Sequence, residues 1–216
     1  MINRILSRLS LWMAYRVLGL IFIGSLTGCI GSMNYTGQTL LPEQHEWVMS
    51  VDRLVEYDLE DYPGPRYNIY PGLGYRLGLA GGFEIGLIDR AIVNPEISLR
   101  YQLPQQWTGY FDASLNLHVG GAFGNQYESL LKNLSYIRPG ITVSHAFTKF
   151  EPYFGIARIN TIATRKTYSN PLDLLVFTIG AKIPTAVESW FPELNIYTYP
   201  NAPDKPVLVF GMGMTF

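Results

Sequence analysis

The chain is short of cysteine, histidine, lysine and charge, and it has no long apolar run. Cys29 is the one cysteine among 216 residues, which excludes an intrachain disulfide and a cysteine-cluster metal site. The three histidines, His45, His118 and His145, are scattered and make no ligand set, so no metal or other cofactor is expected. Lysines number five, and charged residues make up 15%, against about 25% in ordinary soluble domains. A water-facing surface normally carries many Lys and Glu, and this composition cannot supply one. No basic cluster points to nucleic acid. The longest apolar run, Val17–Leu26, is half of the roughly 20 residues that a membrane-spanning helix needs.

What the chain does have is glycine (21), tyrosine (15) and phenylalanine (11). At its start, Arg4, Arg8 and Arg16 are the only charges in the first 28 positions, and the apolar run follows them. A basic lead, a short apolar stretch and small residues at its end make a secretory signal. The small residues meet the cysteine: Leu26-Thr27-Gly28-Cys29 resembles the lipobox of bacterial lipoproteins. That resemblance implies a Cys29 thiol alkylated with diacylglycerol, cleavage before Cys29 and acylation of the new amino group. Several acyl chains hold a protein on a membrane far better than one. Ile30 stands where enteric lipoproteins retained in the inner membrane carry Asp, so the resemblance points to the outer membrane, with the tether in its periplasmic leaflet. Without the three signal arginines, 13 basic residues remain against 17 acidic, a formal charge of −4. The expected organisation is a signal over 1–28, a lipidated spacer over 29–46 and one domain over 47–216.

From there the chain alternates with a period of two. In 108–118, Tyr110, Asp112, Ser114, Asn116 and His118 oppose Phe111, Ala113, Leu115 and Leu117. In 94–103, Glu96, Ser98, Arg100 and Gln102 oppose Ile97, Leu99, Tyr101 and Leu103. Stretches 67–79, 135–147, 172–183 and the C-terminal "PVLVFGMGMTF" repeat the pattern, and 48–57, 83–89, 152–162 and 188–199 complete ten strands. No long helix remains beyond a turn or two at 127–134. The connections Ala80–Gly82, Pro104–Trp107, Thr148–Glu151 and Pro184–Val187 are short, whereas 58–66, 119–134, 163–171 and 200–205 are longer, with 90–93 the exception. Short turns at one end and longer loops at the other mark transmembrane barrels of the outer membrane. The predicted fold is therefore all-β: a closed, antiparallel, up-and-down transmembrane β-barrel of about ten strands, with eight as the alternative.

A soluble barrel also alternates, with its apolar face inward. Here the other face is rich in Gly, Ser, Asn and Thr, which suits a narrow lumen. Aromatics crowd the short turns as interfacial girdles do: Tyr101, Trp107, Phe111, Phe147, Phe150, Tyr153, Trp190 and Phe191. Phe210, Met212, Met214 and the terminal Phe216 alternate at the C-terminus, which resembles the β-signal of bacterial outer-membrane proteins. Carried onto this chain, the resemblance implies recognition of these residues by the barrel-assembly machinery. Lipoprotein-processing enzymes and outer-membrane lipids are the other expected partners.

Chemistry is sparse. Asp112, Ser114 and His118 share one strand face, but at about 3.3 Å per residue they lie too far apart for a triad. A catalytic role is not expected, and an outer-membrane lipid-modifying enzyme stays open as an alternative. The inward charges expected from parity are Arg76, Glu84, Glu96, Arg100, Asp112, Arg138, Arg158, Lys182 and Glu193. Buried charges must pair, so these form a lumen network that plugs the barrel or narrows it into a passage for small solutes. His145, just before Phe147 and the turn Thr148–Glu151, is expected at the interface. The chain thus reads as a structural envelope barrel or a narrow passage. A periplasmic, lipocalin-like carrier of an apolar ligand is the rival if the apolar faces point inward.

Overall fold

The computed structural model describes residues 35–55, 67–90, 94–121, 135–163, 173–200 and 202–216. Ten strands form: β1 His45–Val55, β2 Tyr67–Gly78, β3 Phe83–Arg90, β4 Asn94–Gln102, β5 Asp112–Gly121, β6 Ser135–Ser144, β7 Glu151–Ala163, β8 Asp173–Pro184, β9 Ser189–Tyr199 and β10 Ala202–Thr215. Each pairs antiparallel with its sequence neighbours, and β1 pairs β10 through Val48 opposite Thr215 to Val55 opposite Leu208, which closes the ring. Closure satisfies the ladder without leaving an edge, the condition for strands in hydrocarbon.

The outer face is apolar. Leu115, Leu117, Ile97, Leu99, Ile179 and Phe210 are all exposed. The interior holds charge: Arg100 and Arg138 are the two largest fully buried side chains, and Glu84, Glu96 and His118 are as deeply buried. A water-soluble protein sorts its residues the other way round. An apolar belt on the outside and ions on the inside make this a membrane-spanning barrel, and the lipocalin-like carrier is excluded because its ligand face would be polar.

Parity fails to predict two features of the interior. The half of the lumen away from the short turns holds an apolar cluster beside its ions: Tyr136, Ala157, Ile159, Leu174, Val176, Tyr197 and Val209 pack together. β8 contributes to it because Leu174 and Val176 continue an apolar run on both faces of the strand before Thr178 and Gly180 take over. Some inward glycines are seats for rings. A Cβ on Gly180 would sit 2.3 Å from the Tyr153 ring, and one on Gly120 would sit 2.5 Å from the Tyr136 hydroxyl.

The connections at one end are 79–82, 103–111, 145–150 and 185–188. The first contains a 3-10 turn, Ala80–Gly82, and the second a single helical turn, α1, Gln105–Thr108. β5 therefore starts at Asp112 rather than at 108. Gly109, at φ 69°, ends α1 in a conformation that favours glycine, and the ladder resumes only where Leu103 N–H donates to the Ala113 carbonyl. At this end Trp107 and Tyr110 are exposed, and Phe147 stacks on Phe150 at 5.2 Å. Two expected girdle members depart from it. Tyr153 and Phe191 are buried, because odd positions of β7 and β9 face the lumen. The opposite connections, 56–66, 91–93, 122–134 and 164–172, and with them the short helix expected at 127–134, lie outside the described residues.

Asp52 and Arg53 take opposite faces of β1. Asp52 is buried in the lumen, and Arg53 faces out opposite Phe210, two residues from the strand's end where the longer connections begin. A long cationic side chain so close to the rim reaches the interface.

Candidate functional site

Closure of the ring encloses a lumen, and three sets of side chains fill it. The first centres on Arg100 of β4. Its Nη1 donates to Glu84 Oε1 at 2.8 Å and its Nε to Asn116 Oδ1 at 3.2 Å. Arg76 of β2 donates to Glu46 at 2.7 Å and lies 4.0 Å from Glu84. The second set centres on Glu96 of β4. It accepts from Arg138 Nη2 at 2.9 and 3.0 Å and from the Tyr136 hydroxyl at 2.7 Å, and it lies 2.9 Å from His118 Nδ1. The third joins Tyr153 to Glu193 at 2.6 Å and Asn195 to the same carboxylate at 2.9 Å, with Ser144 donating to Glu151 at 2.6 Å nearby. These cross-strand networks tie adjacent staves together inside a low-dielectric wall, where a satisfied ionic network is rigid.

Between the first two sets lies the chain itself. Residues 35–41, expected as part of a featureless spacer, form a strap inside the barrel. The Tyr35 ring sits under the Arg100 guanidinium at 4.2 Å and stacks on His118 at 5.6 Å, and its hydroxyl is 2.7 Å from His118 Nε2. With Nδ1–H turned to Glu96, that nitrogen accepts from the tyrosine. From this depth the strap descends to the short-turn mouth. Arg100 Nη2 donates to the carbonyls of Thr36 and Gln38. Gly37 N–H donates to Ser144 Oγ at 2.9 Å, and the Gln38 amide to Asp112 at 2.8 Å. Thr39 N–H donates to Gln102 at 3.1 Å and Leu40 N–H to Glu84 at 2.9 Å. Two glycines admit the backbone. A Cβ on Gly37 would lie 2.1 Å from the Asp112 carbonyl oxygen, and one on Gly78 would lie 2.0 Å from that of Leu41. Glu43 then turns the chain at φ 67°, and β1 begins at His45. The spacer boundary at 46 is thereby corrected: residues 35–46 belong to the barrel.

Of the nine charges assigned to the lumen, eight face it. Asp112 takes amides from Gln38 and Gln102 instead of a cation, and Lys182 lies over the Phe191 ring at 6.0 Å. Arg158 is the correction. It is 60% exposed and pairs with Asp173 on the outer face, near the end with the longer connections. The inward residues of β7 are Tyr153, Gly155, Ala157 and Ile159, so Arg158 has the opposite parity.

The residues considered for catalysis do not meet. Asp112 is engaged with the strap, Ser114 Oγ receives Arg100 and donates to Asn116, and His118 sits between Glu96 and Tyr35. His145 lies at the short-turn rim as expected, with its ring 4.8 Å from Phe147 and 5.7 Å from Phe111. Phe210, Met212 and Phe216 are exposed on the outer face of β10. Sequence reasoning missed Tyr35, Glu151, Tyr136 and the strap as a whole. "YTGQTLL" has no period to read, and what Gly37 and Gly78 make room for is invisible until the strands are registered.

No family model and no curated protein matches this chain. Among solved structures it is similar to Neisserial surface protein A, at 9% identity over 79% of this chain and 95% of that one, with a TM-score of 0.36. It is also similar to a bacterial polysaccharide outer membrane secretin, at 15% identity over 79% of this chain and 64% of that one, with a TM-score of 0.40.

Proposed function

We propose that this protein is a lipid-anchored integral barrel of the bacterial outer membrane, structural in role, with its lumen closed at rest by its own N-terminal strap. The observation that carries this reading is the joint placement of buried ions and strap inside a ring whose outside is apolar. Ten strands enclose little more than their own side chains; water-filled pores come with 16–18. The lipobox and the C-terminal alternation support the location and the route of assembly. Cys29 stands six residues before Tyr35, a reach of at most about 20 Å. A lipid on Cys29 in the periplasmic leaflet and a tyrosine at lumen depth are therefore compatible, and the strap is held at both its ends.

The test is fractionation with a tether variant. Native protein labels with acyl precursors, sediments with the outer membrane and shows heat-modifiable migration in gels. Cys29→Ala loses the label but stays with the outer membrane after carbonate or urea washing, because the barrel wall alone holds it there. Release of Cys29→Ala into the wash would overturn the integral barrel. Absence of label on the native chain would remove the lipid anchor and leave the barrel standing.

A further inference from the structure

The strap's hydrogen bonds to the described strands run along one flank. Six of its side-chain anchors stand on β3 to β6, namely Glu84, Arg100, Gln102, Asp112, His118 and Ser144, and Leu41 N–H donates to Gln44 Oε1 at 3.1 Å. None of its described backbone joins the sheet ladder above Glu43. Beside the strap lies a cavity of about 380 Å³, lined in part by the anchoring Arg100 and Gln102, that runs from Arg76 and Glu84 across to Lys182 of β8 and Phe191 of β9. It reaches the short-turn mouth, where Leu41 and Gln44 are exposed. The strap thus has room to move sideways without displacing the wall. Tyr35 is a wedge in two bodies at once: it belongs to the apolar cluster of the far half and to the Arg100–His118 cluster below it. Its withdrawal loosens both.

We propose that residues 35–41 are a displaceable plug, and that moving them into the neighbouring cavity opens the lumen as a passage for small cations. The inference rests on the outer-membrane reading above and gives that closed barrel a solute class. The preference for cations follows from the walls of the short-turn half. Five carboxylates face that space: Glu46, Glu84, Asp112, Glu151 and Glu193. Three cations face it among the described residues: Arg76, Arg100 and Lys182. Among the described residues Asp112 accepts from the strap's own Gln38 amide and from Gln102 and pairs with no cation, so displacement leaves a carboxylate facing the path. Rings of carboxylates select cations in narrow pores. A minor state a few steps above the ground state is populated at about 0.1–10%, so the native protein opens rarely.

The experiment is single-channel recording in planar bilayers. One variant replaces residues 35–40 with Gly and Ser, and a second is Tyr35→Ala alone. Heat-modifiable migration certifies the fold of each, and protease protection in vesicles certifies insertion. Native protein should be closed for most of the record. Both variants should be open at least tenfold more of the time, with a reversal potential under a KCl gradient displaced toward that of potassium. Adding Asp112→Asn and Glu151→Gln to the strap variant should shrink that displacement. The proposal is overturned if a folded strap variant is as silent as native protein, if the current prefers chloride, or if neither variant folds, since the strap is then part of the wall's foundation. Failure of native protein to insert or to show heat-modifiable migration would sink the membrane-barrel reading instead.

Discussion

Arg100 and Arg158 look alike on paper: each lies in a strand among alternating residues, and each can be matched with an acid. Their surroundings differ completely. Arg100 is 1% exposed and is bonded to Glu84, Asn116 and two strap carbonyls, so removing it strands a buried carboxylate. Arg100→Met should cost about 3–5 kcal/mol, read as a lower urea midpoint for the heat-modifiable form. The Arg158–Asp173 pair is solvated, and Arg158→Ala should leave the same midpoint nearly unchanged. Equal effects at the two positions would contradict the assigned faces. The sequence identified both as strand arginines. It could not separate them, because in β7 the polar and apolar positions are too mixed to fix parity until Tyr153 and Ile159 are seen inside.

Elements in this barrel were the most legible part. All ten strands stand within a few residues of where the alternation puts them, because a strand with one lipid face and one lumen face must write its period into the sequence. That argument makes β5 the sharpest test of orientation. Leu117 is on its outer face, opposite Pro139 and Leu99 and well away from either rim. Leu117→Arg should destabilise the folded barrel by about 2–4 kcal/mol, measured by reversible unfolding in lipid vesicles. No loss would mean that this face does not touch acyl chains. At β10, Phe216→Ala leaves the lumen untouched, since Phe216 faces outward and its backbone exchanges hydrogen bonds with Trp47. Its expected effect is on assembly: less heat-modifiable barrel in the outer membrane of cells, with normal folding of purified protein in detergent. A purified variant that folds poorly would assign Phe216 a packing role instead.

At the scale of the molecule, the lumen is divided along its length. The half near the short turns is ionic and receives the strap; in the far half an aromatic and aliphatic cluster from β6 to β10 packs beside the buried Glu96 and Arg138. Tyr35 is the joint between the two, which is why a seven-residue segment outside the sheet governs the state of the whole interior.

The sequence by itself determined that the strands exist, where most begin and end, and which face of most of them is greasy. Each is a local property, carried by residues two or four apart. The tertiary structure decided what fills the lumen. The strap's place, the outward turn of Arg158, the inward turn of Tyr153 and Phe191, and the ring seats at Gly120 and Gly180 depend on strands meeting in register from distant parts of the chain. Tyr35 meets His118 across 83 positions, and contacts of that span leave no period in the sequence.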